Sequence, residues 1–172
     1  MLKARDTIVA DILPLGDRPE AIDILAAAHL AEWRELYPED SVASFATDLA
    51  RSLGTDPVPS TWVLVADGAV IGSVSLIEHD LDSRPELTPW LANLWVERAW
   101  RGRGLGKQLV LHACEQGYQR GLQRLYLYTP EHAAFYRALG WEMLAVSTKN
   151  GVPITLMSYL LQGGRANASA AG

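Results

Sequence analysis

The sequence predicts one α+β domain, a single sheet with helices packed on its faces. Three observations predict it. The chain has 172 residues, which is one domain's length, and area scaling buries about 70% of such a chain's surface on folding. β-rich runs and helical periodicities alternate in the order β α α β β β α β α β β, with no internal repeat, which argues against separate domains. Asp67-Gly68 and Asn150-Gly151 each sit between β-rich runs, the strongest short-range hairpin signal.

Taken in order, Thr7–Ile12 is β-branched and short, a first strand. From Ile22 the positions Leu25, His29, Trp33 and Leu36 recur at helical spacing until Pro38. Asp40 or Ser41 caps a second helix with Val42, Phe45, Leu49 and Leu53 as its buried stripe and Gly54 as its stop. Thr61–Ala66 and Ala69–Glu78 form a hairpin around Asp67-Gly68. Trp90–Val96 is an apolar run suited to a central strand. A Gly-rich turn then opens a helix with apolar positions Leu105, Leu109, Val110, Ala113 and Cys114. Leu125–Tyr128 is a strand, Glu131–Leu139 a short helix stopped by Gly140, and Trp141–Ser147 with Ile154–Leu160 the second hairpin. Residues 1–162 are expected as one domain and 163–172, small and polar, as a disordered tail.

Composition narrows the function. Hydrophobic residues make up 49% and charged residues 20%, which excludes a disordered chain. No run approaches the ~20 apolar residues of a membrane span, and Met1–Asp6 meets acid before any apolar stretch, so no secretory leader is expected. Fifteen Lys and Arg against twenty Asp and Glu give a net charge of −5, a poor match for phosphate backbones. The lone Cys114 excludes an internal disulfide and reads as small apolar filler, consistent with a reducing cytoplasm. None of the 4 His pairs with another at ligand spacing, so no metal is expected.

The segment that carries chemistry is Arg101-Gly102-Arg103-Gly104-Leu105-Gly106-Lys107, between a strand and a helix. Its glycines let backbone N–H groups converge on a ligand, the helix start adds unpaired N–H groups, and three cations add charge. Together these suit a phosphate or pyrophosphate. A P-loop requires Gly at 101 and Ser or Thr at 108, where Arg and Gln stand; a dinucleotide fingerprint requires Gly at 107 or 109, where Lys and Leu stand.

The loop does fit Arg-x-x-Gly-x-Gly and so resembles the acyl-CoA loop of the GNAT superfamily of N-acetyltransferases. Leu94-Trp95-Val96 precedes it as the family's hydrophobic strand does, and Phe135-Tyr136-Arg137-Ala138-Leu139-Gly140-Trp141 resembles the family's aromatic-Tyr-x-x-Leu-Gly-aromatic element. The resemblance covers Trp62 to Met157. It implies a GNAT-like α+β fold, a single mixed, mostly antiparallel sheet with helices on both faces, in which the strands at Val96 and at Leu125–Tyr128 splay apart. It implies acetyl-CoA as cosubstrate, with pyrophosphate on Arg101, Gly102, Arg103, Gly104, Leu105, Gly106 and Lys107 and the pantetheine arm along Leu94, Trp95 and Val96. The reaction implied is direct attack of a primary amine on the thioester in a ternary complex, with Tyr136 as general acid. Cys114, placed mid-helix, is not a nucleophile candidate.

An alkylamine of pKa ~10.4 is about 0.04% neutral at pH 7, so a proton must leave before attack. Glu78 continues the face of Val70, Val74 and Leu76 and is the first candidate base, with Glu97 or ordered water as substitutes. The family's common Asn before the Tyr helix and its strand-borne acid are replaced here by Thr129-Pro130-Glu131-His132 and Tyr126-Leu127-Tyr128. Glu32, Glu35, Glu39 and Asp40 would attract a cationic acceptor, and Trp33, Tyr37, Trp90 and Trp95 would line an aromatic wall. The expected acceptor is a small-molecule amine or peptide N-terminus, with no nucleic acid or membrane partner; a homodimer is allowed, and the sequence does not set the oligomeric state. The rival readings are a non-catalytic acyl-CoA sensor or structural subunit, and RNA binding through Arg101, Arg103, Arg120 and Arg124.

Overall fold

A computed structural model describes residues 9–163. The strands are β1 (Ala10–Pro14), β2 (Ser60–Ala66), β3 (Ala69–Ile77), β4 (Trp90–Val96), β5 (Arg124–Thr129), β6 (Glu142–Lys149) and β7 (Val152–Leu160). The helices are α1 (Ala21–Trp33), α2 (Val42–Ala50), α3 (Leu105–Gln119) and α4 (Ala133–Ala138). The first strand starts at Ala10 and runs to Pro14; Thr7, Ile8 and the expected tail from residue 164 lie outside the described residues.

One seven-stranded sheet has the order β1-β2-β3-β4-β5-β7-β6. Every neighbouring pair is antiparallel except β4 and β5, which are parallel. Both dipeptide turns close hairpins as expected: Asp67 and Gly68 have φ of 52° and 76°, Asn150 and Gly151 of 49° and 79°, the mirror-image turn that suits the twist of paired strands.

The sheet alternates its side chains between two cores. Leu64, Val74 and Leu76 pack with Leu105, Leu109 and Ala113 of α3 on one face. Val63 and Val65 pack with Leu25 of α1 and Leu49 of α2 on the other. Helices therefore cover both faces.

The second helix corrects one detail. Ser41 caps it, with Ser41 and Ser44 exchanging side-chain-to-backbone hydrogen bonds, but its buried stripe is shorter than the spacing suggests. Leu49 is buried, while Val42 and Leu53 are each 42% exposed. Val42 stands at the free first turn, and Leu53 belongs to a following 3₁₀ turn, Arg51–Leu53, whose three-residue period rotates it off the stripe.

Candidate active site

The sheet is open at one place. Parallel β4 and β5 pair only at Trp90 and Tyr126, so beyond Trp90 the β4 edge facing β5 carries unpaired backbone groups. A cleft of about 90 Å³ occupies the gap, lined among others by Leu91, Asn93, Leu94, Tyr128, His132 and Tyr136. Leu94 faces it, while Trp95 and Val96 continue the same strand, paired on their other side with Ser73 and Gly72.

A bulge shapes that edge. Ser73 pairs with Trp95 and Ser75 with Ala92, so Asn93 and Leu94 oppose Val74 alone. Asn93 takes φ 55°, the left-handed region that Asn tolerates. Its carbonyl accepts from the Ser73 hydroxyl at 2.7 Å, and its amide donates to Ser75 Oγ at 3.1 Å. Each serine is itself held from behind. His29 Nε2 lies 2.8 Å from Ser73 Oγ, and Ser75 Oγ, Thr61 Oγ1 and Ser52 Oγ form a hydroxyl chain with steps of 2.7 and 2.8 Å. Because Ser73 donates to Asn93, it accepts the Nε2–H of His29, and the buried Nδ1 has no acceptor for a second proton among the described residues, so the imidazole is neutral. Burial agrees, pushing His29 down to about 3.

At the end of β4, the loop residues stand in a defined backbone. Gly102 and Gly104 have φ of 76° and 78°, a region costly for residues with a Cβ. Gly104 is the N-cap of α3, with no side chain capping that helix start, so first-turn N–H groups are left for another acceptor. The three cations divide. Arg101 is committed to the protein, Nε donating to the Val96 carbonyl at 2.8 Å and Nη2 lying 3.2 Å from Glu32. Arg103 lies over the Trp100 ring at 5.2 Å. Lys107 is exposed on the first turn of α3.

Tyr136 reaches the cleft from α4, held by edge contacts to Phe135 and Trp141 at 5.0 and 6.0 Å. The ring is buried, which pushes its phenol well above the ordinary range. Thr129 Oγ1 accepts from the His132 N–H at 3.0 Å, securing the start of α4. Cys114 lies on α3 away from the cleft, and burial pushes its thiol up to about 12.

A second cavity of about 640 Å³ opens beside the cleft. Asp40, Asp48, Asp56, Glu78, Asp80 and Asp82 line it, against Arg51 and Lys149. The acidic character expected near the N-terminal helices is thus real but differently built. Of Glu32, Glu35, Glu39 and Asp40, only Asp40 lines the groove, and Glu32 is spent on Arg101. Glu78 lines it too, but exposed and just past the end of β3 rather than on its apolar face. Of the expected aromatic wall, Trp33 and Tyr37 line the cleft; Trp90 is fully buried with its indole N–H on the Leu87 carbonyl, and Trp95 packs toward His29 on the far face. Arg120 is bound to the Pro57 carbonyl at 2.8 Å, a helix length of about 22 Å from the Gly-rich loop, so the arginines do not gather into one basic patch.

Sequence reasoning passed over Asp80. Its neighbours Glu78, His79 and Asp82 make it look like one more solvated loop charge. Tyr128 carried a weak signal, since Leu125 and Leu127 alternate with Tyr126 and Tyr128 along β5.

Comparison with known proteins agrees with this architecture. The sequence model of the acetyltransferase (GNAT) family matches residues 22–141. Among solved structures, an aminoglycoside 6'-N-acetyltransferase complexed with coenzyme A superposes with a TM-score of 0.68 at 21% identity, over 90% of this chain and 98% of that one. A GNAT superfamily phosphinothricin acetyltransferase from Sinorhizobium meliloti, in complex with AcCoA, gives 0.65 at 19% identity over 92% and 91%. A GNAT-family acetyltransferase from Streptococcus pneumoniae gives 0.65 at 18% identity over 90% and 100%. At these identities the likeness is one of fold. No curated protein matches the sequence significantly. No helix among the described residues is long and apolar enough to cross a membrane.

Proposed function

Because the chain belongs to the acetyltransferase (GNAT) family, we propose that it transfers the acetyl group of acetyl-CoA to a cationic primary amine by direct attack in a ternary complex. The observation that carries the reading is the unpaired edge of β4, which runs from the Gly-rich turn to a cleft lined by Tyr136.

The residues present suit the coenzyme. N–H groups of Gly102 to Lys107 and the positive end of α3 would hold its diphosphate, with Lys107 adding charge. Leu94 to Val96 offer an open strand edge to an amide-bearing arm, as strand-like ligands use such edges. An N–H on that edge would stabilise the oxyanion of the attacked thioester.

Tyr136 serves the departing sulfur. An ordinary Tyr near ~10 giving its proton to a thiolate near ~8.5 is uphill by about 2 kcal/mol, and burial raises that cost further. The phenol therefore stays protonated at all working pH values and yields its proton only as the C–S bond breaks.

The acidic groove argues for a cation as acceptor, and the name of one structural relative, aminoglycoside 6'-N-acetyltransferase, fits a polyamine-like class. A cytoplasmic location belongs to the same reading. The test is calorimetry with acetyl-CoA, followed by thiol release across spermidine, kanamycin, lysine and a short peptide. Binding with turnover on a polycation supports the proposal. Binding with no turnover on any amine assigns the sensor role instead, and no heat with acetyl-CoA overturns both.

A further inference from the structure

We propose that Asp80 is the general base: Asp80, Tyr37 and Tyr128 form the seat of the acceptor's ammonium, and the Asp80 carboxylate takes its proton. The proposal rests on the acetyl-transfer reading above and adds to it a residue that neither motif nor resemblance supplied.

Position comes first. The cleft and the groove share three lining residues, Tyr37, Asp80 and Asn93. Asp80 is the one carboxylate among them. An amine entering from the acidic groove must pass it to reach a thioester in the cleft, and Tyr136 lines that same cleft.

The seat, moreover, already holds an ammonium. Lys149 Nζ lies 4.7 Å from the Tyr37 ring centroid and 5.3 Å from that of Tyr128, and it donates to the Asp80 carbonyl at 3.3 Å. Two phenol rings with a carboxylate beside them are a cation-binding arrangement. Lys149 enters from β6, partly exposed, on a side chain long and flexible enough to withdraw when another ammonium competes.

The hydroxyls orient the base. Tyr37 and Tyr128 share a hydrogen bond, and the Tyr37 hydroxyl donates to Asp80 Oδ1 at a long 3.4 Å, the kind of contact that tightens when substrate binds.

The proton affinity suits the task. Burial pushes the Asp80 carboxyl up, the Asp82 charge in the same loop adds to this, and Lys149 with the Tyr37 and Tyr128 hydroxyls pulls it back, leaving it at about 7. Asp40, Glu78 and His79 line the surrounding groove. A carboxylate at about 7 is roughly a thousandfold more basic than one at ~3.9, and correspondingly closer to an amine of ~10.4.

The step balances. One ammonium proton passes to Asp80, and the freed nitrogen lone pair forms the C–N bond to the thioester carbonyl. The C–S bond then breaks, sulfur takes the Tyr136 proton, and the second nitrogen proton returns through water to Tyr136. Asp80 releases its proton to the groove, so each turnover yields an amide, a thiol and one proton.

The experiment is kcat/KM against pH for wild type, Asp80→Asn and Lys149→Met, with the amine that turns over fastest in the panel. Acetyl-CoA binding is followed by calorimetry and folding by circular dichroism. Wild type is expected to rise to a plateau with a break near 7. Asp80→Asn, folded and binding acetyl-CoA within threefold of wild type, should lose at least a hundredfold at pH 7.5 and climb without that break toward the amine's own pKa. Lys149→Met, which removes the cation that lowers Asp80, should move the break to higher pH. An Asp80→Asn enzyme within threefold of wild type, or a break unmoved in Lys149→Met, overturns the role of Asp80 and leaves acetyl transfer standing. A wild type that does not bind acetyl-CoA overturns the functional reading and the base with it.

Discussion

The two sides of the site are made of different material. The proposed coenzyme side is backbone: an unpaired strand edge, a bulge, two left-handed glycines and a helix start without a side-chain cap. The proposed acceptor side is side chain: six carboxylates and a tyrosine pair drawn from α2, β5 and the loops after α1, α2 and β3. A backbone-built site depends on a few short segments keeping their conformation. A side-chain-built site depends on residues from distant parts of the chain meeting at one place, and its members are individually replaceable.

That contrast can be broken or sharpened by experiment. After Asp80, Tyr136 at the junction should show the next largest effect: Tyr136→Phe is expected to lower kcat about a hundredfold while the acetyl-CoA Kd stays within twofold, read by steady-state kinetics and calorimetry. Equal losses in both would make Tyr136 structural. On the backbone side, Gly104→Val adds a Cβ where open space surrounds it, so only its left-handed φ of 78° is strained. The acetyl-CoA Kd should rise about tenfold or more, with the KM of the amine unchanged.

Next comes acid stability, where the two sides pull in opposite directions. His29, behind the bulge, is held neutral with its value depressed to about 3, so the stability it allows is present above ~6.5 and falls by up to about 1.4 kcal/mol per pH unit below it. Asp80 has a raised value of about 7, so its contribution is present below ~3.9 and is lost as pH rises through 7. Between about pH 4 and 6.5 the two slopes oppose. Asp80→Asn should therefore melt more steeply with falling pH than wild type in that window, and His29→Gln less steeply. The smallest effect belongs to one groove carboxylate: Asp48→Asn should raise the amine KM about threefold at low salt, a difference that 0.5 M salt should erase by screening, with acetyl-CoA binding untouched.

The same contrast explains what could be read from the sequence. Arg101 to Lys107 announce themselves because glycines must occupy given positions for the backbone to turn, and Asp67-Gly68 and Asn150-Gly151 announce hairpins for the same reason. The seat of Tyr37, Asp80, Tyr128 and Lys149 has no such spacing. Its members lie after α1, after β3, on β5 and on β6, and only the folded sheet brings them together. Glu78 is readable by strand parity, yet β3 ends at Ile77, and two residues on it is Asp80, half-buried, that lines both the cleft and the groove.

The bulge at Asn93 carries a consequence for engineering. Alternation along a strand has a period of two, and the bulge absorbs its extra residue locally, so that Trp95 and Val96 beyond it remain in register with Ser73 and Gly72. Deleting Asn93 would restore a regular ladder against β3, with Leu94 opposite Val74 while Trp95 and Val96 stay opposite Ser73 and Gly72. The shortened protein should gain a smoother β3–β4 ladder and lose the Asn93 carbonyl and amide that Ser73 and Ser75 hold at the edge of the cleft.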